Sequence, residues 1–287
     1  HISHLCALGQ PNWPKRSLLL ELIDEARAGE LDVTFDQHPY SAASTLLSQL
    51  LPPWANAGGA AAATARLRDP ALRGRVRDEV LGLREPEDAR GWERRALFMN
   101  WSDVLISGAR SPGFAGKTAV EIGEMQAKEP VDAVLDLLAQ DGGEVAAIYL
   151  DLYSEEDIAA IMRHPAHMVG SDGIIASGQP HPRLYGTFPR VLGKYCREEG
   201  VLDLPPAVRR MTAAPAARLG LLNRGLLQTG MAADIVIFDP DAIIDTASYT
   251  DPRRFPVGIP HVVVNGVAVV RNGVMTGARP GKVLRAS

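Results

Sequence analysis

Apolar positions along the chain follow two periods, and the switches between them lay out the elements. A short apolar segment at residues 1–5 precedes a stretch where Ser17 can cap a helix, Leu18, Leu19, Leu22, Ile23 and Ala26 share one face, and Gly29 stands at the end. "LDVTFDQHPY" (31–40) then reads as a strand closed by Pro39. Strand, helix and strand within about forty residues make a βαβ unit, and therefore a parallel pair. The pattern recurs: "VDAVLDLLAQ" (131–140) is helical, "VAAIYL" (145–150) a buried strand, "SEEDIAAIMR" (154–163) a capped helix and "HMVGSDG" (167–173) a strand running into a turn.

Alternation of this kind predicts an α/β barrel or a doubly wound sheet. Residues 52–95 interrupt it with an Ala-, Gly-, Arg- and Pro-rich run of weak periodicity, which reads as an insertion carrying short helices. After Pro205 a helical pair ends at Gly220, and the texture becomes β: "ADIVIFDP", "HVVVNG" and "VAVVRNG", punctuated by Asn-Gly, a favoured hairpin turn. The expected division is residues 1–220 and a small β domain over residues 221–287.

Composition narrows the function classes. The 287 residues are 46% hydrophobic, enough for a substantial core. A net charge of −4, from 30 basic and 34 acidic residues mixed along the chain, gives no footprint for nucleic acid or a membrane surface. Small-molecule chemistry is the default. Cys6 and Cys196 do not make a disulfide scaffold or a paired zinc spacing, which favours a reducing cytoplasm, and no apolar run is long enough to span a membrane.

The candidate chemistry sits at predicted strand ends. On a strand, His1 and His4 would point to opposite faces while Ile2, His4 and Cys6 share one, so the two histidines do not bind one ion together. His4, near a strand's C-terminal end, stands where barrel enzymes place catalytic groups; the ordinary alternative is a hydrogen-bonded core histidine. Asp172 in "GSDG" would be held at the same mouth, to bind a metal or take a proton from water, or else simply to cap the next turn. His164 and His167 read as structural. Downstream, His181 precedes Arg183, which could fork onto a carboxylate, although a surface arginine in a Pro-rich loop is the commoner case.

"GLLQTGMAADIVIFDPDAI", "GIPHVVVNGVAVVRNG" and "TGARPGKVLR" resemble the C-terminal portion of metal-dependent amidohydrolases. More narrowly, "ISHLCALGQPNW", "DQHPYSAASTLLSQLLPPW", "VGSDG" and "HPRLYGTFPRVLGKYCRE" resemble the N-acyl-D-amino-acid deacylase branch. The resemblance runs through most of the chain and is weakest over residues 55–130. It implies an α/β fold: the C-terminal part of a (β/α)8 barrel, with the insertion, plus the last strands of a small β-sandwich.

It also implies hydrolysis of the amide of an N-acyl-D-amino acid, with Zn2+ as cofactor. His4 carries over as a metal ligand and Asp172 as the residue acting at the metal as general base, then acid. For the substrate carboxylate, Cys6 stands where the family has lysine and His38 where it has the first tyrosine; Tyr40 and Ser44 match, and Arg183, with His181 beside it, could take over the carboxylate. The family's remaining metal groups have no counterpart here, and about three of the eight strands of a full barrel can be counted. The expectation is a chain inactive alone, associating with itself or with a missing N-terminal segment. Two alternatives remain: another amidohydrolase chemistry, of the hydantoinase, dihydroorotase or dipeptidase kind, or a non-catalytic remnant.

Overall fold

Among residues 1–175 and 178–284, which the computed structural model describes, the backbone pairs into three sheets. Strand β1 (Phe35–Gln37) lies parallel to β5 (His167–Val169), with Phe35 opposite His167. On the other edge of β1, Ile2 makes a single parallel bridge to Phe35. The expected parallel unit is therefore present, with helix α1 (Arg16–Ala28) as its crossover. Ile23 of α1, with Leu5, Leu20 and Val33, packs on Phe35, Ile161 and Ala166.

Two local readings of this unit are corrected. Helix α1 begins at Arg16 with no side-chain cap, so Ser17 does not cap it. Its buried side is Leu20 and Ile23, whereas Leu18 and Leu22 are each 53% exposed. Residues 1–5 also do not form a regular strand. After the bridge at Ile2 the backbone turns left-handed at His4 (φ 42°), which ends the alternation that put Ile2, His4 and Cys6 on one face.

The second sheet holds β2 (Ala43–Leu46), β4 (Ala146–Tyr149) and β3 (Val104–Gly108), with β4 in the centre and antiparallel to both neighbours. "VAAIYL" is a buried strand as expected, but it is not another parallel barrel strand. Apolar periodicity fixes a strand and its burial and leaves the direction of its partner open. The core against this sheet is built from α5 (Ala119–Gln126) and α6 (Pro130–Gln140). Leu135, Leu137 and Leu138 of α6 are at most 1% exposed, each contributing roughly 1.5–3 kcal/mol of apolar burial. The 52–95 region carries α2 (Pro53–Asn56), α3 (Ala60–Arg68) and α4 (Pro70–Val80), the short helices expected there.

Helix α7 (Glu155–Arg163) is capped by Ser154, whose hydroxyl accepts from the Asp157 N–H. Helix α8 (Arg183–Arg190) runs on through a wider π-helical stretch, Val191–Glu198. The helical pair after it is α9 (Leu204–Met211) and α10 (Ala213–Arg218). The third sheet, β6 (Ile235–Ile237), β7 (His261–Val264), β8 (Val267–Arg271) and β9 (Val274–Met275), is wholly antiparallel. Its Asn265-Gly266 and Asn272-Gly273 turns have positive φ at both residues, the geometry that favours Asn-Gly in tight hairpins. Arg285, the last residue of "TGARPGKVLR", lies outside the described residues.

Candidate active site

Three chain segments end side by side. The Ile2 segment, β1 and β5 run parallel, with β1 between the others, so residues just after each lie on one rim. These residues are His4, His38 and Asp172.

His4 and Asp172 both adopt left-handed backbone, at φ 42° and 45°, which few non-glycine residues adopt without local support. For His4 that support is Asp36. Its Oδ1 accepts the His4 N–H at 2.9 Å, and its Oδ2 meets His1 Nε2 at 2.8 Å, while His1 Nδ1 meets the Thr34 hydroxyl. His1 is thus held in a structural role by Asp36 and Thr34. Gly170 leaves the space Asp36 needs: a Cβ there would lie 2.6 Å from Asp36 Oδ1. Asp36 went unnoticed in the sequence, although an acid inside the apolar run "VTFDQ" is the signal that could have found it.

Among the described residues no backbone N–H donates to the Asp172 carboxylate. Its Oδ2 pairs with Arg183 Nη2 at 2.8 Å, the carboxylate 39% and the guanidinium 1% exposed. Arg183 is therefore not a surface arginine. Helix α8 starts at it and drives it inward, where Nη2 also donates to the Ser44 carbonyl at 3.2 Å and Nε is buried without a partner. Ser44 so meets the site through its backbone.

Around Arg183 lies a set of buried rings. His181 packs edge-on against Tyr40 and Tyr249 at 5.2 and 5.3 Å, and His38 lies 6.2 Å from His181 and 5.6 Å from Tyr153. Nδ1 of His181 accepts the Arg183 N–H and its Nε2 donates to the Ala42 carbonyl, a pairing that requires the neutral tautomer. Burial, then Arg183 and His38, hold this ring's pKa well below the usual histidine range. Burial likewise brings His38 down to about 3, with Arg183 and His4 adding to the effect. A buried guanidinium beside two histidines keeps both neutral.

His4, Cys6, Gln37, His38 and Tyr153 face a cavity of about 10 Å³, about the room one water needs. Gln37 Oε1 and His38 Nδ1 are buried without partners. Cys6 is brought to the same cavity as His4 by the turn at His4 rather than by strand alternation. Burial raises its thiol to about 11, so Cys6 is a protonated, packed thiol that interacts with Tyr153. The Tyr40 hydroxyl donates to Asp245 Oδ2 at 3.2 Å, with the Arg190 guanidinium 4.8 Å from its ring centre. Tyr153, Asp245 and Arg190 were not singled out in the sequence.

At the other end of β5, His164 Nε2 meets Asp24 at 3.0 Å and its Nδ1 accepts the Ala166 N–H, while His167 is 1% exposed. Both are structural, as read. Among the described residues no group of three or more His, Cys, Asp or Glu side chains is placed to hold a metal ion. No helix among them is long and apolar enough to cross a membrane.

Comparison with known proteins gives the chain's relatives. The chain is 35% identical over 283 residues to a D-aminoacylase and 34% identical over 284 residues to an N-acyl-D-glutamate deacylase, both from Alcaligenes xylosoxydans xylosoxydans. These matches cover 99% of this chain and 48% of each relative, so the chain spans about half the length of the curated relatives it matches. Among solved structures, an N-acyl-D-glutamate deacylase from Bordetella bronchiseptica, complexed with zinc and a phosphonate mimic of the tetrahedral intermediate, aligns with a TM-score of 0.76 at 31% identity. A D-aminoacylase studied for its binuclear metal centre aligns at 0.76 and 33%. Each covers 99% of this chain and 49% of the other. The model of the amidohydrolase family matches residues 37–270, and the chain belongs to that family.

Proposed function

We propose that this chain forms part of the active site of a metal-dependent hydrolase that cleaves the amide of N-acyl-D-amino acids, releasing a carboxylate and the free amino acid. The observation that carries the reading is the common rim of three parallel segments, with His4, His38 and Asp172 at its edge and Arg183 beneath Asp172. Similarity to D-aminoacylase and N-acyl-D-glutamate deacylase over nearly the whole chain supports it. On this reading the parallel unit is part of a (β/α)8 barrel, residues 221–287 contribute strands to a small β-sandwich, and the substrate-facing residues are Cys6, His38, Tyr40, Ser44, His181 and Arg183.

His4 and Asp172 have the donor chemistry of zinc ligands. The described residues add no third group, and a catalytic zinc takes three protein ligands. The metal therefore belongs to the proposal as the family's cofactor, with its remaining ligands supplied by a longer chain or a second copy, and the 287 residues alone are expected to be inactive.

The chain's own residues handle protons and orientation. Asp172 is partly exposed just past β5, where it can accept a proton from an attacking water and deliver it to the leaving nitrogen, which departs as an amine rather than as a poor anion. Arg183 anchors that carboxylate from below. His38, neutral, offers its unpartnered Nδ1, while His181, also neutral, is held by Ala42 and steadies the Arg183 backbone, so neither ring adds charge beside the guanidinium.

The test is amide release from N-acetyl-D- and N-acetyl-L-amino acids in the presence of zinc, by this chain and by any longer protein from the same reading frame. D-selective turnover by the longer protein that Asp172→Asn abolishes is expected. Turnover indifferent to Asp172, or without preference for the D series, overturns the reading.

A further inference from the structure

Between β6 and β7 the chain leaves the third sheet, and residues 243–249 lie against α8, its π-helical continuation and the buried rings. Two glycines permit the approach. A Cβ at Gly186 would lie 2.6 Å from Asp245 Cβ, and one at Gly193 would lie 2.5 Å from the Ile243 carbonyl oxygen. Ile243 is buried against Val191 and Tyr195, and its carbonyl accepts from Arg197 Nη1 at 2.6 Å, so the segment is fixed where it crosses the helix.

Fixed there, the segment sets both walls of His181. Tyr249 is one wall, edge-on at 5.3 Å and 87°, and it packs on the apolar cluster containing Ala42, whose carbonyl accepts His181 Nε2. Tyr40 is the other, edge-on at 5.2 Å and 87°, and its hydroxyl is held by Asp245 Oδ2. Asp245, with its side chain 6% exposed, pairs with Arg190 Nη1 at 3.4 Å, and Arg190 Nε donates to the Pro39 carbonyl at 2.7 Å. Tyr40 is therefore gripped at its hydroxyl by a carboxylate and at its ring face by a guanidinium. An imidazole between two ring walls, with both nitrogens bonded, has one orientation open to it. That orientation presents Nδ1 to the Arg183 N–H at the start of α8, and the Arg183 guanidinium holds Asp172.

We propose that Tyr249 and Asp245 are positioning residues for the Asp172–Arg183 pair, so that the segment between β6 and β7 ties the rim to the third sheet. The link through His181 stands on these contacts, while its consequence for turnover rests on the function proposed above. A merely stabilising role would lower the unfolding midpoint without altering the His181 ring or the Arg183 amide.

The test follows the His181 ring nitrogens and the Arg183 amide by heteronuclear NMR in the full 287-residue chain. The unsubstituted chain and Tyr249→Phe, which keeps the ring, should show His181 in one tautomer, protonated at Nε2. Tyr249→Leu and Asp245→Ala should show averaged tautomers and a shifted Arg183 amide. Tyr40→Phe cuts the bond to Asp245 while keeping the ring, and it decides the matter if Asp245→Ala does not fold. Ile122→Val, in the separate core against the second sheet, is the control: it should lower the urea midpoint and leave both signals in place. In any longer protein from the same reading frame, kcat on N-acetyl-D-amino acids should fall at least about tenfold in Tyr249→Leu and stay within about threefold in Tyr249→Phe. One tautomer with an unshifted Arg183 amide in Tyr249→Leu, equal losses in Tyr249→Phe, equal changes in Ile122→Val, or an unchanged kcat in Tyr249→Leu overturns the proposal. A longer protein without D-selective turnover strikes the proposed reaction instead, and the NMR comparison then decides the positioning role.

Discussion

Arg183 Nη2 lies 2.8 Å from Asp172 Oδ2, and of the two groups only the carboxylate reaches solvent. The pair is therefore asymmetric. Removing the acid strands a buried guanidinium, whereas removing the base leaves a carboxylate that water can still solvate.

A double-mutant cycle measures that asymmetry. Asp172→Asn is expected to destabilise the chain by about 2 kcal/mol, and the double variant Asp172→Asn/Arg183→Met by no more than Arg183→Met alone, for a coupling of at least about 2 kcal/mol. Urea midpoints check it; simple additivity of the two single effects would refute a direct pair.

Acid should loosen the fold before carboxylates titrate. Burial holds His38 and His167 down to about 3 in the folded chain, against 6.5 for an ordinary histidine. Between those values the unfolded chain binds protons that the folded chain refuses, so stability present above pH 6.5 is lost as pH falls towards 3. At pH 5 each ring accounts for about 2 kcal/mol. Urea midpoints at pH 7 and pH 5 should differ accordingly, and His167→Phe should flatten the slope; an unchanged slope would count against a buried neutral ring.

Both thiols should be sluggish. Burial raises Cys6 and Cys196 to about 11 each, which leaves little thiolate at neutral pH. Labelling of the native chain by a disulfide reagent at pH 8 should be at least about tenfold slower than that of the chain in urea. Rapid native labelling at Cys6 would overturn its assignment as a packed, protonated thiol.

Gly170→Ala probes the support of the rim. The added Cβ would come within 2.6 Å of an Asp36 carboxylate already bonded to the His4 N–H and His1. A loss of about 1–3 kcal/mol in thermal unfolding, with a shifted His4 amide resonance, is expected. An unperturbed His4 amide would break the proposed link from Gly170 through Asp36.

Local signals were legible where chemistry and structure lie within a few residues of each other. Ser154 caps α7 because its hydroxyl needs a partner only three residues away, and the Asn-Gly turns declare their own left-handed backbone. The direction of β4 was not legible, because an apolar strand reads the same beside parallel and antiparallel neighbours. Nor was the bend at His4, whose cause is a carboxylate 32 residues away. The buried position of Arg183 was not legible for a similar reason: its counter-charge and the Ser44 carbonyl come from distant segments, and no local pattern foretells that meeting. The sequence did single out most of the residues that gather at the rim, but the bonds that fix their orientation arise only from packing.

The left-handed turns at His4 and Asp172 carry one more consequence. Since both residues have stepped off their strands, exchanging either side chain shifts no pairing and turns no neighbour to the opposite face. New reactivity can therefore be tried at the lip of this scaffold one residue at a time, while the hydrogen-bonded ladder beneath it is inherited intact.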